Sequence, residues 1–304
     1  MSDLSVDIGG LKLANPVMTA SGTFGYGREY DDLVDLNRLG AIIVKGISLA
    51  PSAGNPPPRI VETTGGLLNA IGLENIGLEA FVRDKLPFLT GLSSRLLVNI
   101  YGREIEEYAA LAGELSGLEA IDGLEINISC PNVKTGGLAF GVDPGQAAAV
   151  VGAVRKRTRQ HLMVKLTPNV TEVGVIARSV AEAGADSISL INTLGGMAVD
   201  IHTRRPRLST ITGGLSGPAI KPVALKMVWE VARQVQVPVI GLGGILTATD
   251  ALEFLMAGAT AVQVGTANFV NPRATMDIIA GIDRFLDDRQ IPAVADIIGS
   301  LDVS

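Results

Sequence analysis

The sequence predicts a parallel (β/α)8 barrel, and three observations predict it. Eight short apolar runs rich in Val and Ile recur along the 304 residues. The runs are mostly continuous rather than alternating, which is how strands buried on both faces read. Between them lie segments with helix-start signals and helical periodicity. Strand–helix alternation repeated this many times closes a parallel sheet inside a ring of helices. The alternative, an open doubly wound sheet, calls for fewer strands at this length.

The opening stretch, LSVDIGGLKLANP, reads as a hairpin turning at Gly9-Gly10 and lying under the barrel. Barrel strands follow at PVMTA (16–20), AIIVK (41–45), LLVNI (96–100) and LEINI (124–128). The second half supplies MVKLT (163–167), SISLI (187–191), PVIGL (238–242) and AVQVG (261–265). Among the helices, Asp143 is a capping residue and Pro144 a first helical position, opening a helix that runs through 160. Thr171-Glu172 opens the next, which closes at Gly184. Helices over 218–235, 247–258 and 274–288 follow. Two stretches do not fit the repeat. The insertions at 47–75 and 202–217 read as long loops, which in a compact fold are functional or disordered. No linker or low-complexity tract interrupts the chain, so residues 1–304 are expected to form a single barrel domain.

Composition narrows the function. Hydrophobic residues make up 47% and charged residues 18%, which supports a large core and excludes disorder. Glycine is abundant, at 36 residues, and aromatics are only 4%, which favours backbone approach to a ligand over an aromatic-lined site. A net charge of −6 argues against nucleic acid as the main partner. The single cysteine, Cys130, excludes an internal disulfide, a Cys-ligated zinc and an iron–sulfur cluster held by this chain. The N-terminus shows no signal peptide and no stretch reaches the roughly 18 apolar residues of a membrane helix, so a cytoplasmic protein is expected. His161 and His202 share no metal-ligand spacing, and no metal is expected.

Barrel chemistry sits at the carboxyl ends of the strands. Those ends carry Ser21, Lys45-Gly46, Asn99, Asn127 with Cys130, Lys165, Asn192-Thr193, Gly243-Gly244 and Gly265-Thr266. Lys45 and Lys165 sit in otherwise apolar strands, where an ammonium is costly unless it meets an anion or a polar cofactor. Glycines after the last strands, joined by Gly217 of GGLSG, suit a phosphate held by backbone N–H groups. The dinucleotide fingerprint G-x-G-x-x-G is missing, which argues against a nicotinamide bound by this chain. Lys165 also suits a Schiff-base aldolase, and a barrel kept only as a binding module is a further reading.

The motifs ANPVMTASGTFGYG, VKGIS, LLNAIGLEN, LEINISCPN, VKLTPNV, INTLGGMAVD, GGLSGPAIKP, GLGGI and VQVGTANF occur in the order of a known family. The chain resembles the class 1 dihydroorotate dehydrogenases, FMN-dependent barrels of pyrimidine biosynthesis, over nearly its whole length. Cysteine at position 130, where class 2 has serine, places the resemblance in class 1. RRPRLSTITGGLSGPAIKPVALKMV resembles the NAD-linked class 1B, with the fumarate-linked class 1A as the alternative. The resemblance implies Cys130 as catalytic base. It implies FMN contacts from Ser21, Lys45, Gly46, Asn99, Asn127, Lys165 and Ile191, with the phosphate on Gly217, Gly243, Gly244, Gly265 and Thr266. Dihydroorotate or orotate would be held by Lys45, Asn69, Ala70, Ile71, Gly72, Leu73, Asn127, Asn192 and Thr193. The loop at 131–137 is expected to act as a lid. The partner implied is an electron-transfer subunit carrying FAD and a [2Fe-2S] cluster, in a heterotetramer of two catalytic and two electron-transfer chains.

Overall fold

A computed structural model describes residues 2–129 and 140–304. Cys130 and the expected lid at 131–137 lie outside the described residues. In chain order the strands are β1 (Val6–Asp7), β2 (Lys12–Leu13), β3 (Val17–Thr19), β4 (Ala41–Ile47), β5 (Ile60–Thr63), β6 (Gly66–Asn69), β7 (Arg95–Ile100) and β8 (Gly123–Asn127). They continue with β9 (His161–Lys165), β10 (Ser187–Leu190), β11 (Leu194–Met197), β12 (Val199–Asp200), β13 (Arg205–Pro206), β14 (Thr212–Ser216), β15 (Val239–Leu242) and β16 (Ala261–Val264). The helices are α1 (Gly77–Ala80), α2 (Leu86–Leu89), α3 (Ile105–Ser116), α4 (Pro144–Arg155), α5 (Val173–Glu182), α6 (Lys221–Ala232), α7 (Ala248–Met256), α8 (Ala267–Val270) and α9 (Ala274–Asp288).

Eight strands close into a barrel in the order β10-β15-β16-β3-β4-β7-β8-β9. Each is one of the runs expected from sequence, displaced by at most two residues at either end. Closure is made by β16 against β3, with Val262 opposite Val17 and Val264 opposite Thr19 in parallel register. That pairing excludes the open doubly wound sheet. Ile43, Val44, Leu97, Val98, Ile126 and Val164 are fully buried, which explains the unbroken apolar runs. Each such side chain contributes roughly 1.5–3 kcal/mol by leaving water.

Helix starts follow the local chemistry. The Asp143 carboxylate accepts from Gln146 N at the head of α4, with Pro144 in the first turn. Thr247 and Asp250 form a reciprocal capping box on α7. Helix α4 ends at Arg155 rather than 160, and Gln160 lies beyond it, its Nε2 donating to the carbonyls of Leu115 and Ile121. The helix expected from 218 begins with a short 3-10 turn, Pro218–Ile220, before α6.

The hairpin β1/β2 pairs Val6 with Leu13 and Asp7 with Lys12. It lies under the amino ends of the barrel strands, where Arg95 Nε donates to the Lys12 carbonyl at 3.1 Å.

The two insertions are not loops. Strands β5 and β6 from the first pair with β14 and β11 around the second, giving an antiparallel sheet in the order β11-β14-β6-β5. Gly214 stands opposite Asn69 and Leu215 opposite Leu68. One face carries its own small core of Val61, Leu68, Ala70 and Leu208. The register puts Ile60, Asn69, Gly214 and Gly195 on the other face.

His161 begins β9, far from the strand carboxyl ends. It is buried, with Nε2 2.8 Å from Ser187 Oγ. Burial pushes its pKa below the ordinary value. The unfolded chain, with an imidazole near pH 6.5, therefore binds the proton first. The stability held by neutral His161 is complete above that pH and is lost as the pH falls through the lower folded value. His161→Gln is expected to shrink the drop in urea midpoint between about pH 7.5 and about pH 5.5; an equal drop in both proteins would show that His161 does not carry it.

Candidate active site

Parallel strands deliver all their carboxyl ends to one face, and there the barrel opens into a cavity of about 970 Å³. The strand-end residues singled out in the sequence line it together: Ser21, Lys45, Gly46, Asn99, Asn127, Lys165, Ile191, Asn192, Thr193, Gly243, Gly244, Gly265 and Thr266. Gly217 and the segment Asn69, Ala70, Ile71, Gly72, Leu73 complete the ring from the two insertions. The cavity wall on this side is the face of the four-stranded sheet that carries Ile60, Asn69, Gly195 and Gly214. Cys130 lies outside the described residues, but Ser129 before it lines the cavity.

The floor is a polar network that the sequence reading missed. Glu125, in the middle of β8, is completely buried. It accepts from Asn99 Nδ2 at 2.6 Å, Ser189 Oγ at 2.9 Å and Gln263 Nε2 at 2.7 Å. The ammonium of Lys165 stands 3.7 Å from its Oε2, with 6% of the lysine side chain exposed. Lys165 thus meets an anion supplied by the protein itself. Lys45 differs: among the described residues no carboxylate pairs with it, and its side chain borders the cavity. A single acidic residue in the apolar run LEINI was a signal of the same kind as the two lysines.

At one end of the cavity the backbone is arranged for an anion. Among the described residues the N–H groups of Gly243, Gly244 and Thr266 donate to no backbone carbonyl. Thr266 Oγ1 donates to Ser216 Oγ at 2.8 Å, tying the last strand end to the inserted sheet. Gly244 has φ +78°, and a Cβ there would lie 2.7 Å from Lys221 Cβ. Lys221 is itself locked to Asp250 at 2.6 Å and Glu253 at 2.9 Å, and the hydrogen bonds it donates to these carboxylates raise its pKa. Burial alone would push the Asp250 carboxyl up, but Lys221 and the N–H groups of Leu246 and Thr247 hold it below the ordinary range. These ties fix the heads of α6 and α7 around the glycines. The Lys221 charge is already satisfied, so an anion here would be held mainly by N–H groups.

The other end is lined by amides. Ser129 Oγ donates to Asn127 Oδ1 at 2.6 Å and accepts from Asn192 Nδ2, so one hydroxyl orients both side chains. Asn69 Nδ2 donates to the Gly214 carbonyl at 3.3 Å across the inserted sheet. Leu73 takes a left-handed backbone, φ 59°, and its carbonyl accepts from Asn75 Nδ2 at 2.9 Å and Tyr101 Oη at 3.0 Å. Such strain persists only where the surroundings over-determine it. Gly46 leaves room for Asn99, whose Oδ1 would otherwise lie 2.5 Å from a Cβ. Amides that offer donors and acceptors suit a small polar ring, and the anion-binding end suits a phosphate.

Comparison with known proteins gives the same answer throughout. The family model described as dihydroorotate dehydrogenase matches residues 3–286. The chain is 59% identical over 300 residues to the "Dihydroorotate dehydrogenase B (NAD(+)), catalytic subunit" of Pelobacter propionicus, covering 99% of each. It is 60% identical over 301 residues to the protein of that name from Geotalea daltonii, again covering 99% of each. A crystal structure of DHODH from Eimeria tenella, in complex with ferulenol, superimposes with a TM-score of 0.80 at 25% identity, over 98% of this chain and 88% of that one. On these matches and on the barrel that carries them, the chain belongs to the dihydroorotate dehydrogenase family.

Proposed function

We propose that the chain is the catalytic subunit of an NAD-linked dihydroorotate dehydrogenase and oxidises dihydroorotate to orotate with FMN held in the cavity. One observation carries the reading: a single cavity joins an anion-binding end, a floor bearing Lys165 and an amide-lined end. The relatives near 60% identity, named for the NAD(+) enzyme, support it and set aside the fumarate-linked alternative.

The residues present fit FMN, because N–H groups that donate to no backbone carbonyl among the described residues and a cavity of about 970 Å³ suit a phosphate and a ring system. Gly217, Gly243, Gly244, Gly265 and Thr266 would hold the phosphate. Ser21, Lys45, Gly46, Asn99, Asn127, Lys165 and Ile191 would surround the ring. When bound, FMN supplies the two-electron oxidising centre. Asn127, Asn192, Thr193 and the segment Asn69, Ala70, Ile71, Gly72, Leu73 hold and orient the substrate ring. Lys45, with no carboxylate partner among the described residues, offers its charge to the substrate and cofactor. Cys130 acts as base and takes a proton from the substrate ring, which thiolate chemistry near neutral pH permits. Electrons bound for NAD leave through a second subunit carrying FAD and a [2Fe-2S] cluster, since this chain has one cysteine and no dinucleotide fingerprint.

Purified chain supplied with FMN is expected to show a flavin spectrum that dihydroorotate bleaches; a colourless protein after reconstitution would overturn the proposal. Cys130→Ser is expected to retain FMN and slow bleaching by roughly 10²- to 10⁴-fold, the usual cost of losing a general base, read by stopped flow. Gly244→Ala, forced into a left-handed backbone, is expected to lose roughly 1–3 kcal/mol of stability and to weaken FMN binding. The isolated chain is expected to reduce NAD poorly, with turnover appearing when the second subunit is added; rapid NAD reduction without it would refute the need for a partner.

A further inference from the structure

A carboxylate in the interior of a barrel calls for a reason. The interior layers of such barrels are ordinarily filled by branched apolar side chains, and a well-packed apolar group in place of a buried ion pair is often no less stable. Glu125 is nevertheless fully buried, and groups from four other strands converge on it. Asn99 comes from β7, Lys165 from β9, Ser189 from β10 and Gln263 from β16. Glu125 does not itself line the cavity, yet Asn99, Lys165 and Gln263 all do. Its partners are donors and an ammonium, the set an ionised carboxylate accepts. Folding alone does not explain this arrangement; the three groups it presents to the cavity do.

We infer that Glu125 is the positioning residue of the cofactor floor: it aims Asn99, Lys165 and Gln263 at the ring and offsets part of the positive charge of Lys165. The inference rests on the flavin reading above. A lysine alone beside a bound flavin would favour its electron-rich reduced form. A carboxylate 3.7 Å from that ammonium moderates the effect. Glu125 would thereby keep Lys165 from over-stabilising a reduced ring held here. Among the described residues Lys45 pairs with no carboxylate, so the two lysines do different work.

The test is the midpoint potential of FMN in the loaded chain, measured by equilibration with a reference dye. Glu125→Gln keeps the shape and removes the charge. The ratio of reduced to oxidised FMN affinity is expected to rise at least tenfold, about 30 mV upward for a two-electron couple. A purely structural role would weaken both forms alike and leave that ratio within about threefold; this outcome, or a downward shift, overturns the inference. Should E125Q fail to fold, the double variant E125Q/K165M decides. A folded double variant shows that the defect was an uncompensated ammonium, in support; failure of both shows Glu125 serving the fold alone, and overturns it. Absence of FMN from the unaltered chain would sink the flavin reading and this inference together, whereas normal FMN binding with an unshifted variant would sink this inference alone.

Discussion

Parallel pairing of β16 with β3 closes the sheet on itself, and closure forces all eight carboxyl ends onto one rim. Residues scattered from Ser21 to Thr266 become neighbours for that reason alone. An open sheet of the same strands would spread these ends along a line, where no single small molecule reaches them all. The apolar runs that make closure possible are the source of stability, and the rim is where the chain departs from them.

That departure is graded. Deepest lies Glu125, fully buried, and around it Asn99, Lys165 and Gln263 border the cavity. Above it come amides oriented by shared hydrogen bonds, such as Asn127 and Asn192 on Ser129. At the far side the glycines are fixed by a buttress of charged groups behind them, Lys221 with Asp250 and Glu253. In the first and last of these the group that faces the cavity is held by another that does not.

Much of this was legible in the sequence, for a physical reason. Strands buried on both faces have no polar positions to spare, so MVKLT and AIIVK announce both the strand and its odd residue. The rim residues followed from the fold and from chain resemblance. Glu125 and Gln263 were equally visible as polar residues within LEINI and AVQVG, but their meaning lies in partners on other strands, which no local pattern states. The inserted sheet was illegible for a related reason. Its strands are as short as four residues, broken by glycine and flanked by Pro56, Pro57 and Pro58, and only cross-chain pairing makes them strands. Helix α4 is shorter than its apolar and basic composition suggests, and Gln160 beyond it is tied to the carbonyls of Leu115 and Ile121 instead.

The inserted sheet has a bearing on how the protein comes into being. Asn69 and Gly214 are 145 residues apart, yet they share one hydrogen bond and one wall of the cavity. During synthesis the first hairpin emerges long before its mate. Its ligand-facing side chains then have no backing until Ser216 has left the ribosome. This wall of the cavity is thus acquired late, by the meeting of two distant segments, and the rim is complete only when β16 closes on β3. A truncated product that stops short of this point would carry the lining residues of the first hairpin without the strand that backs them.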